Sequence, residues 1–196
     1  MLQKENVPDV IKKRENWKKT INTYDTEHLV FLDESGVNVN MNRIYGRAIG
    51  EKRTEDTIPL NTPQNTTMLS SIRLNGEIAY TIYQGGTKKD KFIEYIRDIL
   101  IPTLYKDDIV IMDNMRTHHC KEVQEILENA DIKFLYLPPY SPDLTPIEKM
   151  WSKVKADLRK QKERNISLLA NAIHKAISTV TSSDCIGWFR SCCLSC

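Results

Sequence analysis

No stretch of this sequence approaches the roughly 18 consecutive apolar residues that a membrane-spanning helix needs, and the N-terminal MLQKENVPDVIKKRENWKK is too polar to hold the apolar core of a signal peptide. No membrane role is indicated, and the expected compartment is intracellular. A large excess of one charge is also missing. With 28 Lys and Arg against 26 Asp and Glu the net charge is +2, so nucleic-acid binding has to be argued from local clusters. Paired CxxC knuckles are absent as well. Of five cysteines, Cys120 stands apart, while Cys185, Cys192, Cys193 and Cys196 gather at the C-terminus. Adjacent Cys192 and Cys193 are poorly arranged to ligate one tetrahedral zinc ion, so reduced, partly buried thiols are expected. There is no internal repeat and no long linker.

What remains is a chain of 196 residues, 40% hydrophobic and 28% charged, long enough to bury a sizeable core. Residues 1–22 read as a polar, basic N-terminal arm and residues 23–196 as one domain. Basic residues cluster in that arm (Lys12, Lys13, Arg14, Lys18, Lys19) and again from Lys149 to Arg164. Such runs are ordinarily solvated faces and carry no function by themselves.

Hydrophobic patterning places strands first and helices later. HLVFLDE carries four consecutive apolar residues, Leu29 to Leu32, which suits a strand buried on both faces. VNVNMNRIYGRA alternates, as a strand with one wet face would. MLSSIRLNGEIAYTIYQGG reads as two strands joined at Asn75-Gly76, a strong hairpin signal. Beyond Gly86, Phe92, Tyr95, Ile96, Ile99 and Leu100 have the spacing of a helix packed on a sheet. DIVIMDN is a further buried strand, Val123 to Ala130 a helix, IKFLYL a last strand, and Ile147 to Leu158 a helix after it. Leu168 to Ile177 give a final helix. Three antiparallel strands followed by helix, strand, helix, strand, helix predict an α/β sheet of mixed pairing.

Ligands of such a sheet gather at the carboxyl ends of its parallel strands. There the run LVFL ends in Asp33 and the run IVIM ends in Asp113. Either aspartate alone is an ordinary strand-end residue turning the chain into a loop. If the two strands are neighbours, however, the carboxylates sit side by side, which is stable only with one protonated or a cation between them. Ligation by oxygen alone points to magnesium or manganese.

A third carboxylate follows the proline-rich LPPYSPDLTPIEKMW, where Pro138, Pro139, Pro142 and Pro146 precede Glu148. Thr145-Pro146-Ile147-Glu148 matches a helix start, with Thr145 as N-cap and Glu148 completing a capping box. Equally, Glu148 follows a strand and a stiff loop that bring it back towards Asp113, and the first turn of a helix favours an ionised carboxylate. Spacing alone leaves both readings standing.

Together, LVFLDESG, IVIMDNMRTHH and LPPYSPDLTPIEKMWSKVK resemble the catalytic domain of DDE transposases of the mariner superfamily, especially its bacterial insertion-sequence branch. Glu148 stands 35 positions after Asp113, the spacing typical of that branch, and the resemblance runs from about Thr20 to the C-terminus. It implies a ribonuclease-H-like mixed five-stranded sheet flanked by helices, with Asp33, Asp113 and Glu148 as a catalytic, metal-binding triad for two Mg2+ or Mn2+ ions. The implied reaction is DNA strand cleavage followed by strand transfer, which needs no Ser-His-Asp nucleophile. Its implied partners are transposon ends and TA-containing target DNA, a separate or fused helix-turn-helix domain, and a second copy on DNA, in a bacterial cytoplasm.

Two departures from the family pattern stand out. Thr145 replaces the usual asparagine of SPDLNPIE, and GWFRSCCLSC begins like the family's GWFRHCGY ending and then diverges. For DNA contacts the resemblance and the charge pattern nominate His118, Lys149, Lys153 and Lys155, and more weakly Arg47, Lys52 and Arg53. A catalytically silent DNA-binding or transposase-associating remnant of a mobile element is the alternative. A ribonuclease-H-like nuclease of the host is a further rival, which the PYSPDLTPIE motif disfavours.

Overall fold

The computed structural model describes residues 8–43, 45–46, 50, 55–59, 64–115, 117–192 and 194. Five strands, β1 (Leu29–Val37), β2 (Thr66–Ile72), β3 (Ile78–Gln84), β4 (Ile109–Met112) and β5 (Lys133–Tyr136), form one sheet in the order β3-β2-β1-β4-β5. The pairs β1/β2 and β2/β3 are antiparallel, and β1/β4 and β4/β5 are parallel. This is the mixed sheet expected from the sequence. The β2/β3 turn falls at Asn75-Gly76, where Gly76 has φ +92° and a Cβ would lie 3.0 Å from the Ser182 backbone. Only glycine meets both demands without strain.

Alternation along the central strands builds two cores. Leu29 and Phe31 of β1 and Ile109 and Ile111 of β4 face one side, while Val30, Leu32, Val110 and Met112 face the other. The first side is covered by α1 (Pro8–Ile21), α4 (Ile147–Gln161), α5 (Ile166–Ile177) and α6 (Ser182–Ser191). The second is covered by α2 (Lys89–Tyr95), which continues as a π-helical turn over Ile96–Leu100, and by α3 (Lys121–Asn129). Burial on both faces explains why the β1 and β4 runs are continuously apolar. No helix among the described residues is long and apolar enough to cross a membrane.

Three local outcomes differ from the sequence pattern. Within the segment expected as an arm, α1 buries Trp17 and Ile21, one turn apart, in the first core. The alternating run after β1 is not a strand over residues 38–43. Asn38 there accepts the Asn40 backbone N–H at 2.9 Å, and the Val39 and Met41 carbonyls accept from the Arg164 guanidinium, so local bonds replace a ladder. Finally, α6 extends the fold beyond the last expected helix. It starts at a capping box, in which Thr181 Oγ1 accepts the Asp184 N–H and the Asp184 carboxylate accepts the Thr181 N–H, and it buries Cys185 and Phe189. Cys185 and Cys192 are buried, and burial pushes the Cys185 thiol up to about 11. Cys193 and Cys196 lie outside the described residues.

Candidate active site

The parallel register of β1 and β4 pairs Leu29 with Ile109, Val30 with Val110 and Phe31 with Ile111. Carried two residues further, it sets Asp33 beside Asp113, just past the end of β4, while β1 runs on to Val37 against β2. The condition on which the sequence argument depended, that the two strands be neighbours, is therefore met. A cleft of about 410 Å³ opens there, lined by Asp33, Asp113 and Glu148 together with the proline-rich loop from Leu137 to Pro142.

Asp33 bears the clearest electrostatic mark of this arrangement. Its carboxyl is pushed up from 3.8 to about 7, chiefly by burial and further by the charges of Glu148 and Asp113. The Glu34 backbone N–H and the Trp151 indole oppose that rise. Asp113 is anchored through Oδ1, which accepts the Met115 backbone N–H at 3.0 Å and lies 2.6 Å from His118 Nδ1.

Glu148 is exposed on the first turn of α4, and the capping box that competed for it does not form. The N-cap position falls on Pro146 with no side-chain cap, and Thr145 Oγ1 is buried with no hydrogen-bond partner among the described residues. With its φ fixed, Pro146 enters the helix directly and displaces the cap by one position. Its carbonyl accepts the N–H groups of Lys149 and Met150 at 3.0 and 3.4 Å. The Glu148 carboxylate is thus left to the cleft.

The loop delivering Glu148 is braced as well as stiffened. Arg14 of α1 reaches across to it, donating to Asp143 Oδ1 and Oδ2 at 3.0 and 2.6 Å, to Ser141 Oγ at 2.8 Å and to the Tyr140 carbonyl at 3.2 Å. This fork pulls the Asp143 carboxyl below its usual range. Tyr140 itself has φ +56°, a left-handed conformation costly for a bulky residue, and it borders the cleft. Arg14 looked like one member of a solvated charge run, because its partners lie 126 to 129 positions away.

The other nominated residues occupy distinct environments. His118 is fully buried, with its ring stacked on Phe92, so the phosphate contact expected of it is not accessible in this structure. Lys149 is exposed beside Glu148. Lys153 is paired with Asp184 at the start of α6. Lys155 is partly buried and faces the triad: burial holds its ammonium below the usual lysine range, against the pull of Glu148 and Asp33. Arg47, Lys52 and Arg53 lie outside the described residues. Trp151, read from the sequence as core, also donates its indole N–H to Asp33 Oδ2 at 3.1 Å. The signal for that role was its place three residues after Glu148, since a buried indole needs an acceptor.

Three carboxylates without thiol or imidazole in the cleft lining suit a hard divalent cation. Among the described residues, no three His, Cys, Asp or Glu side chains are already drawn into a closed cage. The carboxylates instead border an open cleft, with Asp33 holding a proton until about neutral pH.

The family described as DDE superfamily endonuclease matches residues 28–169. No curated protein gives a significant sequence match. Among solved structures, the Mos1 transposase paired-end complex with left transposon end superposes with a TM-score of 0.77 at 16% identity, covering 94% of this chain and 59% of that one. The catalytic domain of Mos1 mariner transposase superposes with a TM-score of 0.68 at 14% identity, covering 94% and 88%. The same catalytic domain bound to raltegravir with Mn gives 0.68 at 16% identity, covering 94% and 89%. The chain therefore spans 59% of the length of the chain in the paired-end complex. These likenesses carry the fold, a ribonuclease-H-like mixed sheet flanked by helices.

Proposed function

The chain belongs to the DDE superfamily endonuclease family, and from that premise we propose that it is the catalytic part of a DNA transposase, with Asp33, Asp113 and Glu148 as its metal-binding triad. The observation that carries this reading is the convergence of the three carboxylates on one cleft, where Asp33 feels the charge of both others. Bound there, two Mg2+ or Mn2+ ions would activate water, or a freed 3′-hydroxyl, and neutralise charge on the scissile phosphate. Asp33 within β1 and Asp113 just past the end of the adjacent β4 hold their oxygens side by side, and Glu148 closes the site from the first turn of α4. The Arg14-braced loop keeps the α4 start in register with the strands. Lys149 and Lys155 present ammonium groups near the triad to DNA phosphates, whereas Lys153 is committed to Asp184.

The DNA substrates in this reading are the ends of the element itself and a TA-containing target, bound by two copies of the chain. A helix-turn-helix domain, separate or fused, supplies recognition of the ends. Support comes from the Mos1 structures, which include a paired-end complex and a strand transfer complex. Metal removal tests the proposal. Duplexes carrying the element's ends are nicked in Mg2+ or Mn2+, cleavage stops on chelation, and it resumes when either ion is restored. Nicking that continues unchanged in excess chelator contradicts it.

A further inference from the structure

The two strand aspartates are each held by a buried aromatic N–H, one from each core. From the first core, Trp151, 2% exposed, donates Nε1–H to Asp33 Oδ2 at 3.1 Å. From the second, His118, 0% exposed, sets Nδ1 at 2.6 Å from Asp113 Oδ1, with its ring 4.3 Å from that of Phe92 and tilted by 22°. In this bond Nδ1–H donates to the carboxylate oxygen, and the other ring nitrogen is Nε2. That Nε2 is buried with no hydrogen-bond partner among the described residues.

A buried unpaired ring nitrogen is costly. A phenyl ring would keep the stacking on Phe92 without that cost, so packing alone does not account for an imidazole here. What the imidazole adds is a donor aimed at Asp113. The same Oδ1 also accepts from Met115 N–H, and no described residue donates to Oδ2. Oδ1 is thereby turned into the protein and Oδ2 is free to face the cleft. Trp151 provides the counterpart for Asp33, from the same helix that carries Glu148.

We propose that Trp151 and His118 are positioning residues for the triad, each fixing the rotation of one strand aspartate so that a defined oxygen is offered to a divalent cation. This rests on the reading of the cleft as a metal site. Partners that orient a ligand typically contribute ten- to hundredfold in metal affinity.

Mn2+ binding to the intact chain, followed by calorimetry and by the electron paramagnetic resonance of free Mn2+, tests the proposal without relying on cleavage. The proteins compared are wild type, Trp151→Phe, His118→Phe, His118→Asn and Asp113→Ala, each held below its own melting temperature. Trp151→Phe and His118→Phe are expected to bind Mn2+ ten- to hundredfold more weakly than wild type. His118→Phe should nevertheless melt within a few degrees of wild type in chelator. His118→Asn, whose amide N–H can replace Nδ1–H, should recover part of the affinity. If His118→Phe and Trp151→Phe bind Mn2+ as wild type does while Asp113→Ala does not, the positioning roles are refuted and the metal site stands. If Asp113→Ala matches wild type, the metal site fails and the positioning proposal fails with it.

Discussion

Glu148→Gln is expected to slow metal-dependent DNA cleavage about a thousandfold, or ~4 kcal/mol of barrier, while leaving the melting temperature of the metal-free protein essentially unchanged or slightly raised. The substitution keeps size and shape and removes one charge. The fold makes little use of that charge: Glu148 is exposed, α4 begins without a side-chain cap, and Thr145 Oγ1 makes no bond to the helix. The charge does act on the cleft, where it helps to raise the Asp33 carboxyl. A capping role predicts the reverse pattern, a stability loss of about 1 kcal/mol with cleavage retained. Melting curves and cleavage rates measured on the same preparations separate the two.

Asp33→Asn is expected to stabilise the metal-free protein at pH 8 while abolishing cleavage. The native carboxyl titrates near pH 7 and an unfolded one near 3.8. Between those values the native state keeps a proton that the unfolded chain has released, so the wild type loses stability as pH rises through this window. The cost is absent below about pH 4 and fully present above about pH 7, where it amounts to ~2–4 kcal/mol. Asparagine removes it and can still accept the Trp151 N–H through its amide oxygen. For a chain of this size that corresponds to roughly 5–10 °C in melting temperature at pH 8, shrinking towards zero as pH approaches 4. The measurement is thermal unfolding in chelator across that range. A variant no more stable than wild type at pH 8 would show that Asp33 carries no such cost. The exchange of stability for a poised site is a familiar property of functional centres.

Much of this architecture was legible because its signals are local. The all-apolar runs of β1 and β4 marked two central strands, Asn75-Gly76 marked the hairpin, and the helical spacing of Ile147, Met150, Trp151 and Val154 marked α4 with the face it buries. Asp33, Asp113 and Glu148 could be singled out because each directly follows such a signal. The residues that escaped act across long separations in sequence. Arg14 meets the Glu148 loop 126 to 129 positions away, and Trp151 reaches Asp33 across 118. The helical character of α1 was obscured because only Trp17 and Ile21 of its 14 residues are buried, a stripe too narrow to show in the pattern. The expected strand after Val37 failed for the opposite reason: alternation was present, but asparagine side chains and Arg164 satisfied the backbone locally.

The most direct test of the central claim is a side-by-side cleavage time course of wild type and Asp113→Ala on DNA carrying the element's ends, at pH 8 with saturating Mg2+ or Mn2+. Wild type should accumulate nicked DNA, and Asp113→Ala should be slower by about a thousandfold or more. Equal rates for the two proteins would contradict the assignment of this cleft as the catalytic site.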